Sequence, residues 1–115
     1  MRSWIMKSLA MVAALFMLAG GPFMSTASAG AKIALVLDVG GRGDLSFNDM
    51  GFKGTDEAQA NLGVEVVEIQ SNSAADYLPN MQNAARSGKF DLIVAVGFLL
   101  ADAMAEVADQ FPDQK

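Results

Sequence analysis

A carboxylate, an aromatic ring and a carboxamide lie close together in this chain: Asp38, Phe47 and Asn48, joined through the run Gly40-Gly41-Arg42-Gly43. An aromatic face stacks on a flat ring. An amide offers a donor and an acceptor to a ring edge, and a carboxylate accepts from a pair of hydroxyls. The set suits a heterocycle that carries a polyol, as a nucleoside does. Glycines let the backbone turn sharply and approach a bound group closely. Each residue also has a plainer use. Asp38 can cap a loop, Phe47 can anchor a helix in the core, and Asn48 can be a solvated polar residue at a helix start. Asp44 and Ser46 read as turn and capping residues that support the loop.

Other chemistries lack their residues. The chain has no Cys and no His, which removes disulfides, the usual zinc ligand sets and the Ser-His-Asp and Cys-His arrangements. No D-x-[DN]-x-[DN]-G calcium loop occurs, and the scattered acids read as a solvated surface. Gly41 and Gly43 are followed by Ser46, so G-x-G-x-x-G is broken, although Glu68 stands where a ribose-binding acid could sit. No Gly-Lys-Ser/Thr follows the glycines, so a phosphate loop is absent as well. Asp38 and Asp44 are close in sequence, but a glycosidase pair is defined by facing across a cleft. No catalytic residue, metal ligand or cofactor is expected.

The first 29 residues read as a signal peptide. Arg2 and Lys7 precede the uncharged apolar run 9–20, and Ala27-Ser28-Ala29 forms a small-x-small cleavage site. Twelve helical residues span about 18 Å, short of the ~30 Å of a bilayer core, which argues against a membrane anchor. No cysteine follows to carry a lipid. The expected product is soluble and periplasmic, and begins at Gly30. It holds six basic against thirteen acidic residues, a net charge of −7. Such a balance disfavours nucleic acid and anionic membrane surfaces as partners.

Three apolar runs, 32–39, 63–70 and 90–98, read as strands, the second with the broken alternation of an edge strand. Helices fill the gaps. Ser46 and Asp49 resemble a capping box, and Phe47, Met50, Gly54, Ala58 and Leu62 fall on one helical face, taken as the buried one. Gly63 stops that helix. Pro79 is tolerated only in a first turn, so the second helix starts near Asp76 or Tyr77 and ends at Gly88. A third runs from about Leu99 to Gln110. The order β-α-β-α-β-α predicts an α/β fold, a parallel doubly wound sheet with helices on both faces.

At this point the motif is specific. D-V-G-G-x-G-D-x-S-F-N-D-x-G-F-x-G, Asp38 to Gly54, resembles the basic membrane protein family, the nucleoside-binding components of bacterial ABC importers. The stretch from Phe90 to Lys115 is similar to the same family's third strand and following helix. The resemblance implies a type I periplasmic binding protein fold, in which two α/β lobes close over the ligand. It implies that Asp38 binds sugar hydroxyls, that Phe47 stacks on the base with Asn48 beside it, and that Gly97 and Phe98 face the same cleft. In the family, further ligand residues come from the next strand and from the second lobe, beyond Lys115. Residues 30–115 are therefore expected to form only the first part of an N-terminal lobe. The implied role is capture of a purine nucleoside for a membrane ABC permease. A ligand sensor of the same fold, an inactive truncated fragment and an exported hydrolase using Asp38 and Asp44 are the alternatives.

Overall fold

Lys32–Leu37 forms β1, the strand on which the rest is built. Residues 34–37 are all buried, which accounts for a run with no polar alternation. The computed structural model describes residues 30–115; the expected signal peptide, 1–29, lies outside the described residues. Along the chain follow α1 (Phe47–Leu62), β2 (Glu65–Gln70), α2 (Tyr77–Ser87), β3 (Leu92–Val96) and α3 (Ala101–Gln110). Short 3-10 turns at Ala74–Asp76 and Phe98–Leu100 lead into α2 and α3.

The sheet order is β2-β1-β3, with both pairings parallel. β1 runs from Lys32 opposite Glu65 to Leu37 opposite Gln70 on one side. On the other it runs from Ile33 opposite Leu92 to Leu37 opposite Val96. The chain leaves β1 for β2 on one flank and returns to β3 on the other. That reversal fixes where the loops diverge.

Alternate residues of β1 serve different layers, because successive strand side chains point to opposite faces. Ala34 and Val36 pack with Tyr77, Met81, Ala84 and Ala85 of α2 and with Leu100 and Val107 at α3. Leu35 and Leu37 pack with Phe52 of α1, supported by Val66, Val94 and Val96. Helices therefore cover both faces of the sheet. Gly51 lets α1 lie close to it, since a Cβ there would stand 2.9 Å from Val96 Cγ2.

The inner face of α1 is not the expected one. Phe47, Met50 and Leu62 are exposed, and the buried residues of the helix are Asn48 and Phe52. Asn48, Gly51, Phe52 and Thr55 follow the i, i+3, i+4, i+7 spacing of an amphipathic face, but only one is a large apolar residue. The other termini agree with expectation. Gly63 and Gly88 end α1 and α2 in the left-handed region, donating to Gln59 and Ala85 carbonyls respectively. Pro79 is the third residue of α2, where its missing N–H costs no helical bond. The Asp76 carboxylate, just ahead of α2, accepts from the Asn72 and Ser73 N–H groups, both at 2.9 Å. Among the described residues, no helix is long and apolar enough to cross a membrane.

Leu35→Ala should lower the unfolding free energy by about 2–5 kcal/mol, as large-to-small changes in a packed core do. Leu62→Ala, although apolar, should stay within about 0.5 kcal/mol of the parent. Urea unfolding of the two variants checks the assignment of the α1 face; equal losses would refute it.

Candidate functional site

In an open parallel sheet, loops part at the carboxyl ends of strands where the winding reverses, and ligands enter that crevice. Here the reversal falls between β1 and β3. Asp38 directly follows β1 and Gly97 directly follows β3, so both stand at the mouth.

Asp38 is held from within. Its Oδ1 accepts from the Gly40 N–H at 2.8 Å and from Asn48 Nδ2 at 2.7 Å. The same Nδ2 donates to Asp44 Oδ2 at 2.8 Å. The orientation of the amide follows, because turning it over would set its oxygen against two carboxylates. Asn48 is 1% exposed. Its Oδ1 is buried and has no hydrogen-bond partner among the described residues. The Asp38 carboxylate and the Asn48 amide are thus together, but the amide is turned inward.

Asp44 is the side chain that caps α1. It accepts from the backbone N–H groups of Ser46 (2.8 Å), Asn48 (3.0 Å) and Asp49 (3.1 Å). Ser46 occupies the N-cap position but makes no side-chain cap bond. Asp49 reaches back as expected, yet to the N–H groups of Gly43 (2.7 Å) and Leu45 (3.0 Å) rather than to Ser46. The expected Ser46–Asp49 box is therefore replaced by two aspartates closing one loop. Burial acts to raise the Asp44 pKa, but the N–H groups of Ser46, Asn48 and Asp49 and the Asn48 side chain outweigh it. The result is a fall from the ordinary 3.8 to about 2.

The other end of the loop is tied to β2. Gln70 Nε2 donates to the carbonyls of Asp38 and Ser71, each at 2.7 Å. Gly41, at φ +61°, passes so close that a Cβ would lie 2.6 Å from Gln70 Oε1. Arg42 lays its guanidinium 3.6 Å from the Phe52 ring centroid and pairs with Glu68 at 2.6 Å. Glu68 therefore belongs to an ion pair here. Neither Gln70 nor Arg42 was singled out from the sequence. Their positions follow from the register that sets Glu68 and Gln70 beside Leu35 and Leu37, and only the broken alternation of the second strand hinted at it.

Phe47 and Phe98 meet edge to face, with ring centroids 5.6 Å apart and planes at 79°. Both rings are largely open, at 56% and 82% exposure, so Phe47 is not the core anchor its helical position allowed. Gly97 has φ +108°, a conformation that suits glycine. A Cβ there would stand 2.7 Å from Asp38 Oδ2. The crevice thus gathers Asp38, Phe47, Gly97 and Phe98 at its mouth, with Asn48 and Asp44 behind them. Asp38 and Asp44 draw on a single amide and do not face each other across a cleft, which disfavours a hydrolase. A cavity of about 360 Å³ lies elsewhere, lined by Ala85 and residues 110–114. It contains none of these groups.

The parallel sheet with helices on both faces is that of an α/β solute-binding protein. Residues 31–115 match the family described as ABC transporter substrate-binding protein PnrA-like. An uncharacterized lipoprotein of Pyrococcus abyssi is 46% identical over 96 residues, covering 84% of this chain and 24% of the relative. The ABC transporter nucleoside-binding protein BmpA of Lactococcus lactis subsp. cremoris is 35% identical over 85 residues, 70% of this chain and 24% of that protein. A solute-binding protein of an ABC transporter system from Aeropyrum pernix K1 has a similar crystal structure. Its TM-score is 0.70 at 47% identity, over 74% of this chain and 23% of that one. A counterpart from Conexibacter woesei gives 0.63 at 26% identity, over 73% and 27%. The chain belongs to the PnrA-like family of ABC transporter substrate-binding proteins, whose members bind solutes and are not enzymes. It spans about a quarter of the length of the relatives it matches.

The Asp44 carboxyl carbon should titrate by NMR with a midpoint about 2. Because the folded pKa is depressed below 3.8, the stabilisation it gives the loop is complete above that value and is lost as pH falls through about 2. Protection of the Asn48 and Asp49 amides against exchange should fall in the same window. A midpoint at or above 3.8 would mean that the cap does not form.

Proposed function

We propose that residues 30–115 form the first part of the N-terminal lobe of a two-lobed binding protein. It captures a purine nucleoside, or a similar heterocycle with a polyol, and delivers it to a membrane ABC permease. The observation that carries this reading is the mouth of the crevice: an anchored carboxylate, Asp38, beside two exposed rings, Phe47 and Phe98. Asp38 accepts from sugar hydroxyls, Phe47 stacks on the base, and Gly97 keeps the space over Asp38 open. Family membership supports a solute, and the name of the Lactococcus relative supports a nucleoside. Residues 1–29 act as a signal peptide, cut after Ala29, and the mature protein works in the periplasm.

No bond of the ligand changes. Selectivity arises because a ligand lacking the hydroxyls leaves the Asp38 carboxylate unpaired in a closed site, and an unpaired polar group there is penalised. Isothermal titration of the full-length gene product with inosine and guanosine tests the reading. Binding with release of unchanged nucleoside is expected; failure to bind either would overturn it. Phe47→Ala should weaken binding by about 1–3 kcal/mol, the range for base stacking on an aromatic side chain. Unchanged affinity would remove the stacking role.

A further inference from the structure

The buried Asn48 amide has a task that the reading above does not give it. Two carboxylates, Asp38 and Asp44, approach one nitrogen at 2.7 and 2.8 Å. Like charges so placed repel, and the two N–H donors on the amide nitrogen serve both. Asp44 in turn is fixed by three backbone N–H groups at the start of α1. A line of hydrogen bonds therefore runs from the helix terminus through Asp44 and Asn48 to Asp38. The amide is kept at a cost. Its Oδ1 is buried without a partner among the described residues, and such an orphan destabilises where an apolar side chain would not.

We infer that Asn48 is a positioning residue: it acts on the ligand only through Asp38, by fixing Oδ1 and turning Oδ2 alone toward the ligand. Oδ1 already accepts two hydrogen bonds, from Gly40 and from Asn48, and has no lone pair left for a third donor. Oδ2 faces the space that Gly97 leaves free. Ligand hydroxyls must therefore converge on one oxygen and do not pair one to one with two. Asp44, whose pKa is lowered to about 2, stays ionised and keeps accepting from the amide well above that pH.

This inference rests on the nucleoside reading, and its test separates the two. In the full-length gene product, Asn48→Ala should weaken inosine binding about ten- to a hundredfold, the scale of one hydrogen bond to a charged group. Binding of 2′,3′-dideoxyinosine, which lacks the 2′ and 3′ hydroxyls, should change about twofold or less. In an Asp38→Ala background the same substitution should add no further loss for inosine. Equal losses in both backgrounds, or for both ligands, would mean that the amide meets the ligand itself and would overturn the inference. A second measurement needs neither ligand nor a folded Asn48 variant. The side-chain NH₂ protons of Asn48 should exchange slowly in the parent and lose that protection in Asp38→Ala. Protection that does not depend on Asp38 would overturn the inference. If inosine and guanosine fail to bind the parent, the nucleoside reading falls and the exchange measurement alone decides the role of Asn48.

Discussion

One shared amide holds the loop between β1 and α1 in shape. Without Asn48 between them, Asp38 and Asp44 would be two like charges within a short loop with no donor shared between them. With it, the repulsion becomes a bridge. The direction of Asp38 follows from that bridge, while the helix start is held by the three backbone N–H groups that donate to Asp44. Around it the contacts point the same way: Asp49 closes Gly43 and Leu45, and Gln70 holds the Asp38 carbonyl. Arg42 lies across Phe52 toward Glu68. That exposed ion pair adds little by itself, but it lies over the aromatic side chain that joins α1 to the sheet. The loop is preorganised by its own chain, so a ligand need not order it.

The sheet explains why the loop stands where it does. β1 is central and covered on both faces, so its end is among the least mobile points of the lobe. β2 and β3 flank it, and the chain crosses from one side to the other. A carboxylate placed one residue past such a strand inherits its rigidity. Gly97 occupies the equivalent place on β3, and the absence of its side chain is what leaves Asp38 Oδ2 accessible.

Much of this was legible before any coordinates. The continuous apolar run at β1 marked a strand buried on both sides, and Gly63, Gly88 and Pro79 marked helix ends, because each reflects a local backbone constraint. The motif from Asp38 to Gly54 marked the family. The inner face of α1 was misread for a physical reason. Phe47 and Met50 are apolar yet exposed, while the residue that goes inside, Asn48, is polar, and its NH₂ group is held by carboxylates rather than by core contacts. A hydrophobic periodicity counts apolar residues and so favours the wrong side. The capping residue was likewise Asp44 and not Ser46, since a longer reach into the loop allows one carboxylate to collect three N–H groups. Gln70 and Arg42 depend on register between strands distant in sequence, which no local pattern carries.

The edge-to-face contact between Phe47 and Phe98 has a thermodynamic consequence for whatever enters. With no ligand, the two rings already shield part of each other from water, an arrangement worth about 0.5–1.5 kcal/mol beyond the area it covers. A flat guest that slides between them replaces one aromatic contact by two, so it gains only the difference. On the proposed reading the pair competes with an entering ring, since parting the two rings is a cost that the guest must offset.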